Sequence, residues 1–79
     1  MKKIAVITLH DNISSVDFLF KFPPYVSKDQ VEQIIRDISH GNLSKYNLPE
    51  DWTYDEVAEV IAKELGGEIL YPYRWEFYL

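Results

Sequence analysis

The chain writes one helix-start signal twice, and the two copies divide it. Ser27 stands three residues ahead of Gln30, flanked by Val26 and Val31; Thr53 stands three residues ahead of Glu56, flanked by Trp52 and Val57. In both places a hydroxyl residue can cap free backbone N–H groups while the Gln or Glu side chain reaches back to the cap. The apolar pair on either side clamps the entry. After the first signal, Val31, Ile34, Ile35 and Ile38 fall on one helical stripe, and His40-Gly41 supplies a stop. After the second, Tyr54, Val57, Ala58, Ile61 and Leu65 form the stripe, and Gly66-Gly67 ends it. Residues 42–52 are a long helix–helix link. They carry Leu43, Tyr46, Leu48 and Trp52, so they read as a loop packed on the core.

The flanks of this helical centre have period two. Lys3–Leu9 is apolar on both alternating faces, the pattern of a strand covered on two sides. Val16, Phe18, Phe20 and Phe22 share one face of Ser15–Phe22, and Pro23-Pro24 stops that strand. From Glu68 to Leu79 the odd positions are Ile69, Tyr71, Tyr73, Trp75, Phe77 and Leu79, which predicts an edge strand bent at Pro72 with its odd face on the helices. The expected fold is α+β: a single-domain β-β-α-α-β sandwich with both helices on one face of a three-stranded sheet. The doubly apolar first strand suggests sheet order 2-1-3, and it leaves the second sheet face apolar and uncovered.

Composition narrows the chemistry. With no cysteine there is no disulfide, thiolate metal site or Cys nucleophile. No apolar run approaches the roughly 18 residues of a membrane span. The short basic start is followed by His10-Asp11-Asn12, too early for a signal-peptide core, so a cytoplasmic protein is expected. Residues 1–45 hold six basic and five acidic side chains, whereas residues 46–79 hold two basic and eight acidic ones. A phosphate-backbone binder needs clustered Lys and Arg, so direct nucleic-acid binding by charge is not expected. The excess of Lys over Arg fits an AT-rich coding source such as a phage of a low-GC bacterium.

Catalytic signals are sparse. His10 and Asp11 form the one pair with general acid–base character. His10 and His40 lack any metal-ligand spacing. Ser14, Ser15 and Ser44 lie in no nucleophile elbow. Gly66-Gly67 follows a helix instead of leading into one, which excludes a phosphate loop. No cofactor or metal is expected.

Two surfaces stand out instead. Glu50, Asp51, Asp55, Glu56 and Glu59 crowd the start of the second helix, with Asp51, Asp55 and Glu59 spaced by four along one ridge. Helix-start carboxylates are favoured by the helix dipole, which accounts for part of this pattern; a docking face for a basic partner is the functional reading. The second surface is the predicted edge strand, with Leu70, Arg74, Glu76 and Tyr78 pointing away from the helices. Tyr and Arg are enriched among interface hot spots. Together these features suggest a non-catalytic protein-binding module. Its most specific form is a phage or mobile-element inhibitor of a nucleic-acid-handling host enzyme, or an antitoxin or immunity protein, with a homodimer as a further option. The alternatives are a nucleic-acid-associated module using the aromatic edge and a small enzyme subunit using His10 and Asp11.

Overall fold

A computed structural model of the chain describes residues 1–71 and 74–79. Strands β1 (Lys3–His10) and β2 (Ser15–Phe22) are followed by helices α1 (Lys28–Ser39) and α2 (Tyr54–Glu64) and a short strand β3 (Glu68–Leu70). The fold is α+β, a three-stranded antiparallel sheet with two helices, as the patterning implies.

The order of the strands differs from the expected 2-1-3. β2 lies in the middle, paired antiparallel with β1 on one side and with β3 on the other. The reason is visible in the side chains. Phe18, Phe20 and Phe22 project from one face of β2 and are all buried, with the rings of Phe20 and Phe22 stacked at 5.1 Å. Three aromatics reach the core only from the strand that α2 covers, so β2 takes the centre. The apolar second face of β1 did not require cover: Ile4 and Val6 are 57% and 64% exposed.

β3 is also shorter than the predicted Glu68–Leu79 strand. It pairs Glu68 with Lys21, Ile69 with Phe20 and Leu70 with Leu19. An antiparallel continuation in that register would reach Ser15, the start of β2, at Arg74 and then have no partner. Pro72, where the bend was expected, and Tyr73 lie outside the described residues. Of the odd set expected to pack on the helices, Ile69 does so, whereas Tyr71, Trp75, Phe77 and Leu79 are exposed.

Both helix starts form as their sequences dictate. Thr53 Oγ1 accepts the Glu56 N–H at 3.3 Å, and Glu56 Oε1 accepts the Thr53 N–H at 3.1 Å. At the first helix Gln30 Oε1 accepts the Ser27 N–H at 2.7 Å. Both helices end in the same motif. Gly41 and Gly66 adopt φ of +83° and +65°, and the N–H groups of Asn42 and Gly67 reach back to the carbonyls of Asp37 and Ala62. Gly67 has a second constraint: a Cβ there would lie 2.4 Å from the Phe22 ring and 2.9 Å from the Lys21 carbonyl oxygen. The α2–β3 turn therefore presses directly on the aromatic face of β2.

The helices differ in depth. α2 lies over β2 and β3 and buries Val57, Ala58, Val60, Ile61 and Ala62. α1 buries only Ile34 and Ile38, leaving Val31 and Ile35 half-exposed. The connection between them is packed, as expected: Leu43, Tyr46, Leu48 and Trp52 rest on the core around a 3-10 turn at Ser44–Tyr46. Asp37 of α1 holds this loop. Its carboxylate accepts from Tyr46 Oη at 2.6 Å, Gln33 Nε2 at 3.0 Å and Lys45 Nζ at 3.1 Å. Those donors, Tyr46 foremost, hold the Asp37 carboxyl below its ordinary value, while burial and the nearby carboxylate push the Tyr46 phenol up.

Three substitutions test these contacts. Thr53→Ala should cost about 0.5–2 kcal/mol in urea melts through loss of the cap. Gly67→Ala should cost about 1–3 kcal/mol because the new methyl overlaps Phe22 and the backbone beside it. The third concerns acid. A carboxyl that titrates lower when folded stabilises the fold fully above the ordinary value of 3.8, and that contribution is lost as pH falls through the depressed value. Asp37→Asn should therefore lower stability at neutral pH and flatten the acid limb of a stability–pH curve relative to wild type. Parallel curves would refute the role of this carboxylate.

Candidate functional site: the open side of β1

Residues directly opposite one another in antiparallel strands share a face. The registers therefore put Ala5, Ile7, Leu9, Phe18, Phe20, Phe22 and Ile69 toward the helices, and Ile4, Val6, Thr8, Asp17, Leu19, Lys21 and Leu70 on the other side. No helix covers that outer face among the described residues. Ile4 and Val6 are largely exposed there, beside half-buried Leu19 and Leu70. Polar closure comes at one end, where Thr8 donates to Asp17 at 2.6 Å across the strands.

β1 has a second open side, its free edge. Among the described residues it pairs only with β2, so alternate backbone groups along its eight residues aim outward. Residues Ile4 to Leu9 contain neither charge nor proline, the usual means of blunting an edge. Above this edge, α1 stands away from the sheet. A groove of about 600 Å³ runs between them, lined by Ala5, Ile7, Val26, Val31 and Ile35, with Lys3 and Lys28 at its mouth. A second groove of about 310 Å³ continues toward Trp52, Tyr54 and His10 and shares Ile7 and Ile35 with the first. The Lys3 ammonium donates to the Val26 carbonyl and closes one end. At the other end the Tyr54 hydroxyl is buried without a hydrogen-bond partner among the described residues. Its burial pushes the phenol pKa up.

Of the acidic group at the start of α2, Glu50, Asp51, Asp55 and Glu59 are exposed, and none is ion-paired among the described residues. Glu56 differs: it is half-buried and occupied in the cap of α2, which makes it structural. The second predicted surface separates. Leu70 belongs to β3 and sits on the outer face. Arg74, Glu76 and Tyr78 are exposed outside any strand, with Arg74 Nε 2.8 Å from Glu76 Oε1 and the Tyr78 hydroxyl donating to Glu76 Oε2 at 3.2 Å.

His10 and Asp11 do not form an acid–base pair. The Asp11 carboxylate is committed to its own turn, accepting N–H groups from Ile13 at 2.7 Å and Ser14 at 2.9 Å. Those donors hold its pKa below the ordinary range, which suits a turn anchor and not a proton acceptor near neutrality. No cluster of three or more His, Asp or Glu side chains suited to a metal ion occurs among the described residues. No helix is long and apolar enough to cross a membrane among the described residues. Comparison with protein-family models, curated proteins and solved structures finds no match for this chain.

The sequence pointed to the acidic residues and to the edge strand with the uncovered sheet face, and not to the groove. One signal was available: Val31 and Ile35 belong to the α1 stripe yet lie opposite a small residue, Ala5, which leaves space unfilled.

The outer face gives a direct test. Val6→Lys should change stability by no more than about 1 kcal/mol, the span of strand propensity at an exposed position. A charge on a strand face covered on both sides would cost several times more.

Proposed function

We propose that this chain is a non-catalytic protein-binding module. The observation that supports the reading is the outer sheet face: Ile4 and Val6 stand exposed beside Leu19 and Leu70, with no element drawn over them among the described residues. Contiguous exposed apolar surface on a small protein usually marks an interaction site. The acidic ridge adds direction to the reading. Asp51, Asp55 and Glu59 project carboxylates with no ion-pair partner among the described residues, which favour a partner with a basic surface and speed its approach. A protein whose basic surface ordinarily holds nucleic acid fits that description, and the module would act as its inhibitor or regulator in the cytoplasm of a host cell. An antitoxin or immunity protein works by the same surface chemistry.

Affinity capture from a lysate of the source cell, run with and without nuclease, tests this. A specific protein should be retained in both arms. Val6→Lys should release it, and Asp55→Lys with Glu59→Lys should slow its association most at low salt. Retention that disappears with nuclease would instead favour the aromatic, nucleic-acid-associated reading. Gel-shift binding to random duplex below about 1 μM at physiological salt would refute the charge argument.

A further inference from the structure

Two unfilled positions in this structure match. One is the groove beside β1, which has an unpaired strand edge on its floor and Val31 and Ile35 of α1 as its roof. The other is the segment 74–79, which has the alternation of a strand but pairs with no strand among the described residues. Its Trp75, Phe77 and Leu79 are 73%, 79% and 123% exposed. We propose that residues 74–79 of a second copy occupy the groove, reciprocally, so that each chain adds a fourth strand to its partner's sheet beyond β1. This goes beyond the protein-binding reading, which rests on the outer sheet face and the ridge.

The chemistry of the two parts agrees. A strand laid against β1 sends alternate side chains toward α1 and the others to the outer side. In the 74–79 segment the alternate residues Trp75, Phe77 and Leu79 are apolar, which suits the apolar groove. The intervening Arg74, Glu76 and Tyr78 would face the outer side, where charge and hydroxyl remain hydrated. Ala5 is the smallest side chain lining the groove and leaves room there for a bulky ring. The backbone N–H and C=O groups of the free edge would be paired in the same step.

The segment cannot serve its own groove. β3 and a strand added beyond β1 lie three strand spacings apart, about 14 Å. The four steps from Leu70 to Arg74 span at most about 13–14 Å when fully stretched. That leaves no length to pass beneath the sheet and rise at its far edge. The occupant must come from another chain, and a second copy carries both a segment to give and a groove to receive, which closes a two-fold dimer. The area is of the right order. Aromatic side chains bury about 150–250 Å² each. Two segments place four such rings in two grooves, about 600–1,000 Å² before the groove walls they cover are counted, which approaches the roughly 1,600 Å² of a standard stable interface.

Sedimentation equilibrium on the purified full chain tests the proposal, with Trp75→Ser plus Phe77→Ser as the segment variant and Ile35→Lys as the groove variant. Wild type should be a dimer at micromolar concentration. The segment variant should stay folded by circular dichroism, since both side chains are exposed in the monomer, and its dimer dissociation constant should rise about 100-fold or more, as for loss of two aromatic anchors. Mixing the two variants should give a heterodimer, because one intact segment then meets one intact groove. A wild-type monomer would overturn the inference while leaving the capture experiment free to succeed. A dimer that survives the segment variant would also overturn it and would favour direct β1–β1 pairing. Should Ile35→Lys fail to fold, the segment variant alone decides between these outcomes.

Discussion

The structure depends on burying one face of β2. Phe18, Phe20 and Phe22 present three aromatic rings on a single side of an eight-residue strand, and Phe20 and Phe22 are all but fully excluded from water. Ile61 and Ala58 of α2 are fully buried in the same core. A chain of 79 residues has few other places to find comparable apolar burial, because small domains cover a lower share of their surface than large ones. The requirement reaches the loops as well. Gly67 is glycine because the α2–β3 turn crosses close to Phe22, and β3 then pairs Ile69 beside Phe20.

Centring the core on β2 leaves β1 as an edge. α2 settles over β2 and β3, so α1 rests on what remains and inserts only Ile34 and Ile38 deeply. The groove follows from this asymmetry: a helix stripe of four apolar residues meets an edge strand with only Ala5 at one of its facing positions, and half the stripe, Val31 and Ile35, is only partly covered. The surfaces that carry the functional reading are thus consequences of the packing. The ridge on α2 arises differently, from a helix whose buried side is almost entirely Val, Ile and Ala and whose remaining positions are left to carboxylates.

Much of the secondary structure was legible because its signals are short-ranged. A capping box involves atoms within four residues, and both helices begin where Ser27 and Thr53 place them. The positive-φ glycines closing each helix, the alternation of β2 and the packed loop through Tyr46 are likewise local. The anchoring of that loop by Asp37 was not legible, since nothing in the sequence singles out one carboxylate of thirteen as the acceptor for Tyr46, Lys45 and Gln33. Of the acidic group, Glu50, Asp51, Asp55 and Glu59 are exposed, whereas Glu56 is withdrawn into the cap. The edge strand did not extend past Leu70, because the antiparallel register with β2 has too little strand left to pair it.

By itself, the sequence determined where both helices start and stop, where β1 and β2 lie, and that one sheet face would be apolar without cover. Only the tertiary structure decided which strand lies in the middle and which edge stays open. The pattern of β1 is the same whether its second face meets a helix or water, because periodicity records what a side chain is and not what lies across from it. That choice was made by competition for the core, where three phenylalanines on β2 bury more apolar surface than the aliphatic side chains of β1. The groove exists because α1 then had only a strand edge to rest on.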